Sequence, residues 1–552
     1  MSINEKEAQL SAPSSYQGQR TGVDLRETRR AALAEIDNAK FGWFHVKACC
    51  VAGVGFFTDA YDIFAINLAA GMIGYVYGQD HGGALTANQD LGLKIATPVG
   101  TFVGQLLFGW LADVVGRKKM YGLELMIIII ATVGQAVAGH GPGVSILGVL
   151  IMWRFIMGVG IGGDYPLSAT ITSEFAATRI RGRMMTATFW SQGWGQFGAA
   201  IVAIVCLSAF KSSILNDPAG YAHHVDFVWR LIIGLGAVPG AVALYFRLTL
   251  PETPRFTMDI ERNVKGAAAD VDAFLQTGHY VHDTPAPNAT EFVAPKASWK
   301  DFCAYFGQWK NGKVLFGTAY SWFALDVAFY GLGLNSSIIL SAIGYGSVSH
   351  GTAAEKRFYS LWNSAIGNII IIVAGFIPGF WASFLLIDKW GRKPIQLMGF
   401  VMLTILLCCM GFGYHKLKDN AVGAFVVLYC LTNFFQNFGP NTTTFVIPGE
   451  VFPTRYRSTA HGISAASGKF GAIIAQIMAF KLKDRGGKNA WVPHVLQIFA
   501  LFMLTGIFST LLLPETKGKS LEELTGEDEE NLSPARLAPP PSEALPSRCH
   551  PS

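Results

Sequence analysis

The stretch G-V-G-I-G-G-D-Y-P-L-S-A-T-I-T-S-E-F-A-A-T-R-I-R-G-R-M-M-T-A-T-F-W-S-Q, residues 158–192, contains the strongest single indication of the fold. It continues a long apolar run, encloses the carboxylate Asp164 and then enters a basic turn at 179–183. An ionisable side chain inside a membrane-spanning helix costs about 2.5–3.5 kcal/mol on insertion scales, so Asp164 is a candidate functional residue. A solvated position at the helix end is the alternative, but the chain reaches Ser173 and Glu174 only about two turns later. The stretch therefore predicts a transmembrane helix with an acidic group well below the membrane surface.

The composition of the whole chain is that of an integral membrane protein with many spans. Of its 552 residues, 51% are hydrophobic and only 15% are charged. Twelve apolar runs are close to the ~20 residues that cross a bilayer as a helix. The eight cysteines follow no metal-binding or disulfide spacing, and the polar N-terminus contains no apolar signal sequence. We therefore predict an all-α membrane protein with twelve transmembrane helices.

Three short motifs recur in the same order in the first and the second six runs. They are D-x-x-G-R-K at 113–118 and 388–393, E-x4-R-x-R at 174–181 and 450–457, and P-E-T at 251–253 and 514–516. The first two repeat with offsets of 388 − 113 = 275 and 450 − 174 = 276 residues. The repetition predicts two related halves that bind substrate between them and expose it alternately to each side of the membrane.

Basic loops predict the orientation and the regions of the chain. Lys and Arg cluster at 117–119, 179–183, 389–393 and 455–457, all on one side, which the positive-inside rule makes cytoplasmic. The segment 481–488 carries four basic residues on the other side and is outnumbered. The predicted regions are a cytoplasmic N-terminal segment (1–43), a six-helix bundle (44–250), a cytoplasmic linker (251–313), a second six-helix bundle (314–513) and a cytoplasmic tail, partly disordered (514–552).

Several longer motifs resemble one transporter family. They are G-F-F-T-D-A-Y-D at 55–62, G-G-D-Y-P-L-S-A-T-I-T-S-E at 162–174, W-F-A-L-D-V-A-F-Y-G at 322–331 and F-F-Q-N-F-G-P-N-T-T-T-F at 434–445. With the D-x-x-G-R-K turns, they resemble the phosphate:proton symporters of the major facilitator superfamily, particularly the fungal high-affinity members. The resemblance implies the major facilitator fold, a plasma-membrane location and proton-coupled import of inorganic phosphate. The implied partners are phosphate, protons and the lipid bilayer, with no cofactor, metal or nucleic acid.

The candidate substrate-binding residues combine a helix face with the resemblance. Trp322, Asp326 and Tyr330 are spaced at i, i+4 and i+8 and share one face of the seventh helix, where an intramembrane carboxylate favours a pathway over simple packing. Lys469 is added because a buried ammonium needs an anionic partner. The resemblance implies phosphate contact for the helix face and for Tyr165, Gln192 and Asn441. The full set is Asp164, Tyr165, Gln192, Trp322, Asp326, Tyr330, Asn441 and Lys469.

Five carboxylates are candidates for proton coupling, namely Asp59, Asp62, Glu124, Asp164 and Asp326. Asp59 and Asp62 lie at i, i+3 on one helix face, and neighbouring carboxylates in a low-dielectric interior resist ionising together, which suits a proton relay. The resemblance implies a role in proton movement for this pair. Two roles stay open for Glu124, because an ion pair with Arg154 that braces the first half fits the sequence as well as a relay does.

The predicted charges indicate how a proton could be coupled to phosphate. Asp164 and Asp326 have only one nearby cation, Lys469, in the predicted site. Charges ~4 Å apart interact by about 4 kcal/mol at an effective dielectric constant of 20, so two ionised carboxylates would repel a phosphate anion. We therefore expect at least one of them to be neutral when phosphate binds.

The repeated loop motifs are predicted to form ionic latches at the cytoplasmic helix ends. Their acids and bases can pair when that face is closed and separate when it opens. Solvated charges that only define topology are the alternative. The candidate gating residues are Asp113, Arg117, Glu174, Arg179, Asp388, Arg392, Glu450 and Arg455.

Two other functions are retained as alternatives. P-E-T-K-G-K-S-L-E-E at 514–523 also resembles sugar porters, but the seventh helix reads F-A-L-D-V-A at 323–328 where those proteins carry paired glutamines. A phosphate sensor, with or without transport, is the second alternative. The glycines at 158–163 follow no strand of a βαβ unit and are predicted to permit close helix packing. The sequence contains no ATPase or nucleophile motif, so no enzyme activity is expected.

Overall fold

The computed structural model describes residues 33–217, 221–248, 252–259, 298–342, 348, 351–487 and 489–525. Within these ranges the regular secondary structure is helical. The twelve long helices are α1 (Trp43–Tyr77), α2 (Ala87–Val115), α3 (Arg117–Ala136), α4 (Ile146–Phe175), α5 (Thr178–Asn216), α6 (Tyr221–Leu248), α7 (Trp309–Gly333), α8 (Ala353–Trp390), α9 (Arg392–Phe412), α10 (Val422–Val451), α11 (Arg457–Leu482) and α12 (Val492–Leu511).

These helices confirm the predicted all-α membrane architecture. Among the described residues, eleven of them are both long enough and apolar enough to cross a membrane. The remaining one, α7, has 25 residues but is less apolar, since it carries Asp326 and aromatic residues with polar groups. Several helices are interrupted: α8 contains a π-helical turn at Ile372–Phe376, and α10 breaks at Phe438 and Gly439.

The predictions for the terminal segments and the linker lie largely outside the described residues. The described parts are short helices at 33–37, Pro254–Asp259, Trp299–Phe306 and Leu521–Thr525. The predicted disorder of the tail concerns residues beyond 525.

Glycines allow α2 and α4 to pack with their backbones in close contact. A Cβ atom on Gly104 would lie 2.1 Å from the carbonyl oxygen of Val159, and one on Gly162 would lie 2.5 Å from that of Thr101. Only a residue without a side chain fits at such distances, as in other small-residue helix interfaces. The packing role predicted for the glycines at 158–163 is confirmed at Gly162.

The D-x-x-G-R-K and P-E-T motifs meet at the start of α3 and of α9. The backbone N–H of Lys118 donates to Glu252 at 3.1 Å, and those of Arg392 and Lys393 donate to Glu515 at 3.0 Å. A carboxylate at a helix N-terminus satisfies free N–H groups and interacts favourably with the helix dipole. Each motif pair therefore fixes one helix start, once in each half.

The two halves meet along α2 with α11 and along α5 with α8. We call the end that carries the D-x-x-G-R-K and E-x4-R-x-R turns the motif end, and the other end the opposite end. The halves are also in contact at the opposite end, where Asn67 donates to the carbonyl oxygen of Gly333 at 2.7 Å and Lys94 donates to Asn335 at 3.4 Å. The interior is thus covered at the opposite end.

Candidate functional site

Between the halves, the structure brings together six of the predicted substrate-binding residues, which we call the central site. They are Tyr165, Gln192, Trp322, Asp326, Tyr330 and Lys469, and each is at most 5% exposed. The Lys469 Nζ atom lies 2.8 Å from Asp326 Oδ2. It also lies 4.9 Å from the ring centre of Tyr165 and 4.5 Å from that of Tyr330. A single ammonium is thus surrounded by aromatic faces, which attract cations.

Residues of α4 and α5 close the central site from the first half. Gln192 Nε2 donates to the Tyr165 hydroxyl at 2.7 Å, and the Tyr165 ring lies 6.2 Å from that of Trp322. Pro166 follows Tyr165 inside α4, and a proline removes one backbone hydrogen bond from the helix. Asn441 lies apart from these contacts: its amide donates to Asn437 at 2.7 Å, and among the described residues no hydrogen bond connects it to the central site.

Arg247 forms a second charged cluster that the sequence analysis did not include. Its guanidinium donates to Asp164 Oδ2 at 2.7 Å and forms an ion pair with Glu124, and all three side chains are fully buried. The guanidinium also lies over the Tyr121 ring at 4.0 Å. Ser168 donates to the other oxygen of Asp164 at 2.5 Å.

This cluster corrects two expectations. Lys469 is not the only buried cation near the carboxylates, because Asp164 has Arg247 as its partner. Arg154 does not brace Glu124: it donates instead to the carbonyl oxygen of Leu93 at 2.9 Å. The argument that uncompensated charge on Asp164 repels phosphate is therefore wrong.

Asp59 and Asp62 are both buried but have different surroundings. Asp62 accepts a hydrogen bond from Thr132 at 2.8 Å. Asp59 is 0% exposed, and neither of its carboxyl oxygens has a hydrogen-bond partner among the described residues. Its electrostatic neighbours include Asp164 and Arg247. Asp59 is thus a buried carboxyl group without a direct partner beside an occupied ion pair.

At the motif end, hydrogen bonds from α2 and α3 cross to the second half. Asp113 accepts hydrogen bonds from the backbone and the hydroxyl of Thr459, both at 2.7 Å. Arg117 lies 3.3 Å from Asp113 and donates to the carbonyl oxygen of Thr454 at 2.9 Å. These contacts close the motif end in this conformation.

Among the described residues, the glutamates of the E-x4-R-x-R turns do not form ion pairs with the arginines of their own turns. Glu174 forms its 2.8 Å ion pair with Arg457 of the other half, whereas Arg179 is exposed. Arg455 lies 3.5 Å from Asp301 in the described part of the linker. Arg457, the second basic residue of the second turn, thus reaches across to the first half.

In the second half, the charged residues of the repeated motifs form ion pairs with each other. Arg392 binds Glu450 through two hydrogen bonds of 2.8 and 3.1 Å and lies 2.9 Å from Asp388. These ion pairs stay within the half. Asp388 also accepts a hydrogen bond from the backbone of Arg183 in the first half at 3.0 Å.

Arg255 connects three separated segments of the chain at the motif end, an arrangement we call the clasp. It forms ion pairs with Asp37 at 3.0 Å and with Glu522 at 2.8 Å, and donates to the carbonyl oxygen of Glu174 at 2.6 Å. Burial raises the pKa of Glu522, but the charge and hydrogen bond of Arg255 outweigh it and lower that pKa to about 2. Glu522 is therefore ionised at neutral pH and holds the tail helix against the bundle.

Glu174→Gln is expected to loosen the motif end more than Glu450→Gln does. Both glutamates are fully buried, but only the ion pair of Glu174 crosses between the halves. The Thr170 hydroxyl forms a hydrogen bond with that of Ser458 in the other half. A thiol introduced by Thr170→Cys should therefore react with a labelling reagent when the motif end opens. We expect its labelling rate to rise about tenfold with Glu174→Gln, corresponding to a weakened charged hydrogen bond. Equal rates in the two variants would contradict a gating role for the crossing pair.

Comparisons with known proteins bear on the family and the fold of the chain. Residues 48–527 match the family model described as sugar (and other) transporter. The chain is 52% identical to the inorganic phosphate transporter PHO84 of Saccharomyces cerevisiae, over 93% of this chain and 90% of the relative. It is 51% identical to the repressible high-affinity phosphate permease of Neurospora crassa, over 91% and 90%. The solved structure of the proton:xylose symporter XylE bound to 6-bromo-6-deoxy-D-glucose matches with a TM-score of 0.63 at 19% identity, over 87% and 98%, and supports the fold.

Proposed function

This chain belongs to the inorganic phosphate transporters of the sugar (and other) transporter family, and we propose that it imports phosphate together with protons across the plasma membrane. The motif end is then cytoplasmic, in agreement with its basic loops. The conformation described is closed at both ends, as an intermediate of alternating access would be.

The observation that carries the proposal is the position of Lys469. It is the cation of the central site and lies close to the rings of Tyr165 and Tyr330, one from each half. The site also contains the Trp322 indole and the Gln192 amide as donors. An oxyanion can take its hydrogen bonds from these donors and its counter-charge from Lys469. A neutral sugar needs no counter-charge from a buried ammonium, which makes a sugar the weaker candidate substrate.

Phosphate uptake is coupled to protons because phosphate and Asp326 compete for the ammonium group of Lys469. In the closed structure Lys469 neutralises Asp326. Phosphate that binds Lys469 removes this partner, and an unpaired buried carboxylate costs several kcal/mol. Uptake of a proton by Asp326 relieves that cost, so phosphate and proton bind together. Release of the proton on the cytoplasmic side restores the Asp326–Lys469 ion pair, which displaces phosphate.

Asp59 is proposed as the carboxyl group that delivers or holds a coupled proton. It is the candidate without a hydrogen-bond partner among the described residues, and a group buried in this way is most stable in its neutral form. Asp164, by contrast, has its charge compensated by Arg247.

Uptake of radiolabelled phosphate into proteoliposomes tests the proposal. We expect accumulation when the outside is more acidic than the inside and its collapse with an uncoupler. Labelled glucose is the control and should not accumulate. Phosphate uptake that does not depend on the proton gradient would contradict symport. Phosphate binding without any uptake would favour a sensor.

Asp59→Asn, a permanently neutral mimic, is expected to abolish proton-driven accumulation while phosphate exchange at equal pH continues. The amide preserves the shape of the carboxyl group but cannot release a proton. Asp62→Asn is the matched comparison, since Asp62 already has a hydrogen bond from Thr132, and it should retain more accumulation. Normal accumulation by Asp59→Asn at equal protein levels would exclude Asp59 as the proton carrier.

A further inference from the structure

A small cavity, which we call the outer cavity, lies between the two halves. It is situated between the central site and the opposite end. Its volume is about 30 Å³, room for roughly two water molecules. Its polar lining residues are Asn67, Gln196, Ser336, Asn368, Tyr429 and Asn433, and none of its lining residues is charged. Asn67 is eight residues beyond Asp59 along α1, so the cavity lies ~12 Å beyond the acidic cluster.

Two residues that line the outer cavity each carry an unsatisfied polar atom. Gln196 is 6% exposed and its Nε2 donor has no partner among the described residues, and the Oδ1 acceptor of Asn67 also has none. The other amides use their donors internally: Asn368 donates to the carbonyl oxygen of Ser364, and Asn433 to that of Tyr429, both at 2.8 Å. One free donor and one free acceptor therefore belong to two residues that line this cavity.

Phe64 connects the outer cavity with the central site. Phe64 lines the cavity and stacks on Tyr330 with ring centres 6.1 Å apart and an interplanar angle of 10°. On the other side, Ile372 and Phe376 line the cavity from the π-helical turn of α8. Such turns are rare and are frequent at functional sites, because their backbone hydrogen bonds can rearrange.

We propose that the outer cavity is an entry subsite for hydrogen-bearing inorganic phosphate, occupied when the opposite end opens and before Phe64 admits the ion to the central site. This rests on the proposed import of phosphate. Gln196 Nε2 donates to a P–O⁻ oxygen, and Asn67 Oδ1 accepts from a P–OH group. Sulfate carries no such hydroxyl at neutral pH and leaves the acceptor unsatisfied, which is costly in a buried site. The absence of a charged lining residue makes binding weak, as a transit site requires.

The first test is the half-saturation concentration for phosphate uptake of the full-length protein in proteoliposomes. Gln196→Leu keeps the volume and removes the donor, and we expect a rise of about tenfold, corresponding to one hydrogen bond to a charged group. Gln105→Leu is the matched control, because Gln105 is equally buried with both amide atoms unpartnered but does not line the cavity. Equal effects of the two substitutions, or none from Gln196→Leu, would overturn the subsite.

The second test detects occupancy without transport. In a background lacking the eight native cysteines, Ala199→Cys places a thiol in the lining, and Lys469→Met disables the central site. Inorganic phosphate or arsenate should slow thiol labelling in this background, whereas sulfate should not. If phosphate protects the Ala199→Cys thiol only while Lys469 is present, the inference is overturned. Protection by sulfate equal to that by phosphate would also overturn it. If the wild-type protein fails to take up phosphate at all, the proposed function fails instead.

Discussion

Asp326→Asn and Lys469→Met are each expected to reduce phosphate uptake by at least about a hundredfold. The two side chains are 2% exposed and 2.8 Å apart, so either substitution leaves one buried charge without its partner. Breaking such a pair costs about 3–5 kcal/mol, and ~1.4 kcal/mol corresponds to a factor of ten. Trp322→Ala, on the same face of α7, should also lower uptake severely. The measurement is initial uptake at equal membrane expression.

The double variant Asp326→Asn/Lys469→Met separates folding from transport. It removes both charges, so its thermal stability should return toward that of the wild type while uptake stays absent. Lys483→Met, which disrupts a partly exposed ion pair with Asp484, is the control and should transport normally. Recovery of transport in the double variant would show that the pair is only structural.

Gly55→Ala is expected to abolish proton-coupled uptake although it adds only one methyl group. The new Cβ would lie 1.6 Å from Arg247 Nη2 and 2.2 Å from Asp164 Oδ2, so the Asp164–Arg247 ion pair must separate or α1 must move. Separation of the pair leaves buried charges uncompensated beside Asp59, at a cost of several kcal/mol, and movement of α1 shifts Asp59 away from the pair. Because ~1.4 kcal/mol corresponds to a factor of ten, we expect uptake to fall below about one hundredth of the wild-type value.

Gly71→Ala is the matched control for Gly55→Ala. It lies on the same helix, and its new Cβ would be 3.4 Å from Leu361, which is ordinary contact. This variant should transport at close to the wild-type rate. Normal uptake by Gly55→Ala, or equal losses in both variants, would argue against a role for the Asp164–Arg247 pair.

The fold was largely predictable because its determinants are local. Apolar runs of sufficient length form helices in a membrane whatever their neighbours are, and the repeated turns around Asp113 and Asp388 mark the two halves. The face of α7 was predictable for the same reason, since the spacing of Trp322, Asp326 and Tyr330 depends only on helix periodicity.

The ion-pair partners were not predictable because they depend on packing between distant helices. Arg247 stands near the end of an apolar run, where a long basic side chain usually reaches the interface, and only the packing of α6 on α3 turns it toward Glu124 and Asp164. The one available signal was an arginine within apolar sequence. Similarly, Glu174 and Arg457 are 283 residues apart, and no spacing within a turn indicates that they meet.

The unequal distribution of buried charge between the halves has a consequence for membrane voltage. Among the described residues away from the motif end, the first half buries the carboxylates Asp59, Asp62, Glu124 and Asp164 and the cations Lys94, Arg154 and Arg247, whereas the second half buries Asp326 and Lys469. If all were ionised, the sums would be −4 + 3 = −1 and −1 + 1 = 0. A charge that crosses a 100 mV potential changes its energy by about 2.3 kcal/mol. The electric field should therefore act mainly on the first half, and how many of its carboxyl groups carry protons sets how strongly the resting potential drives each reorientation.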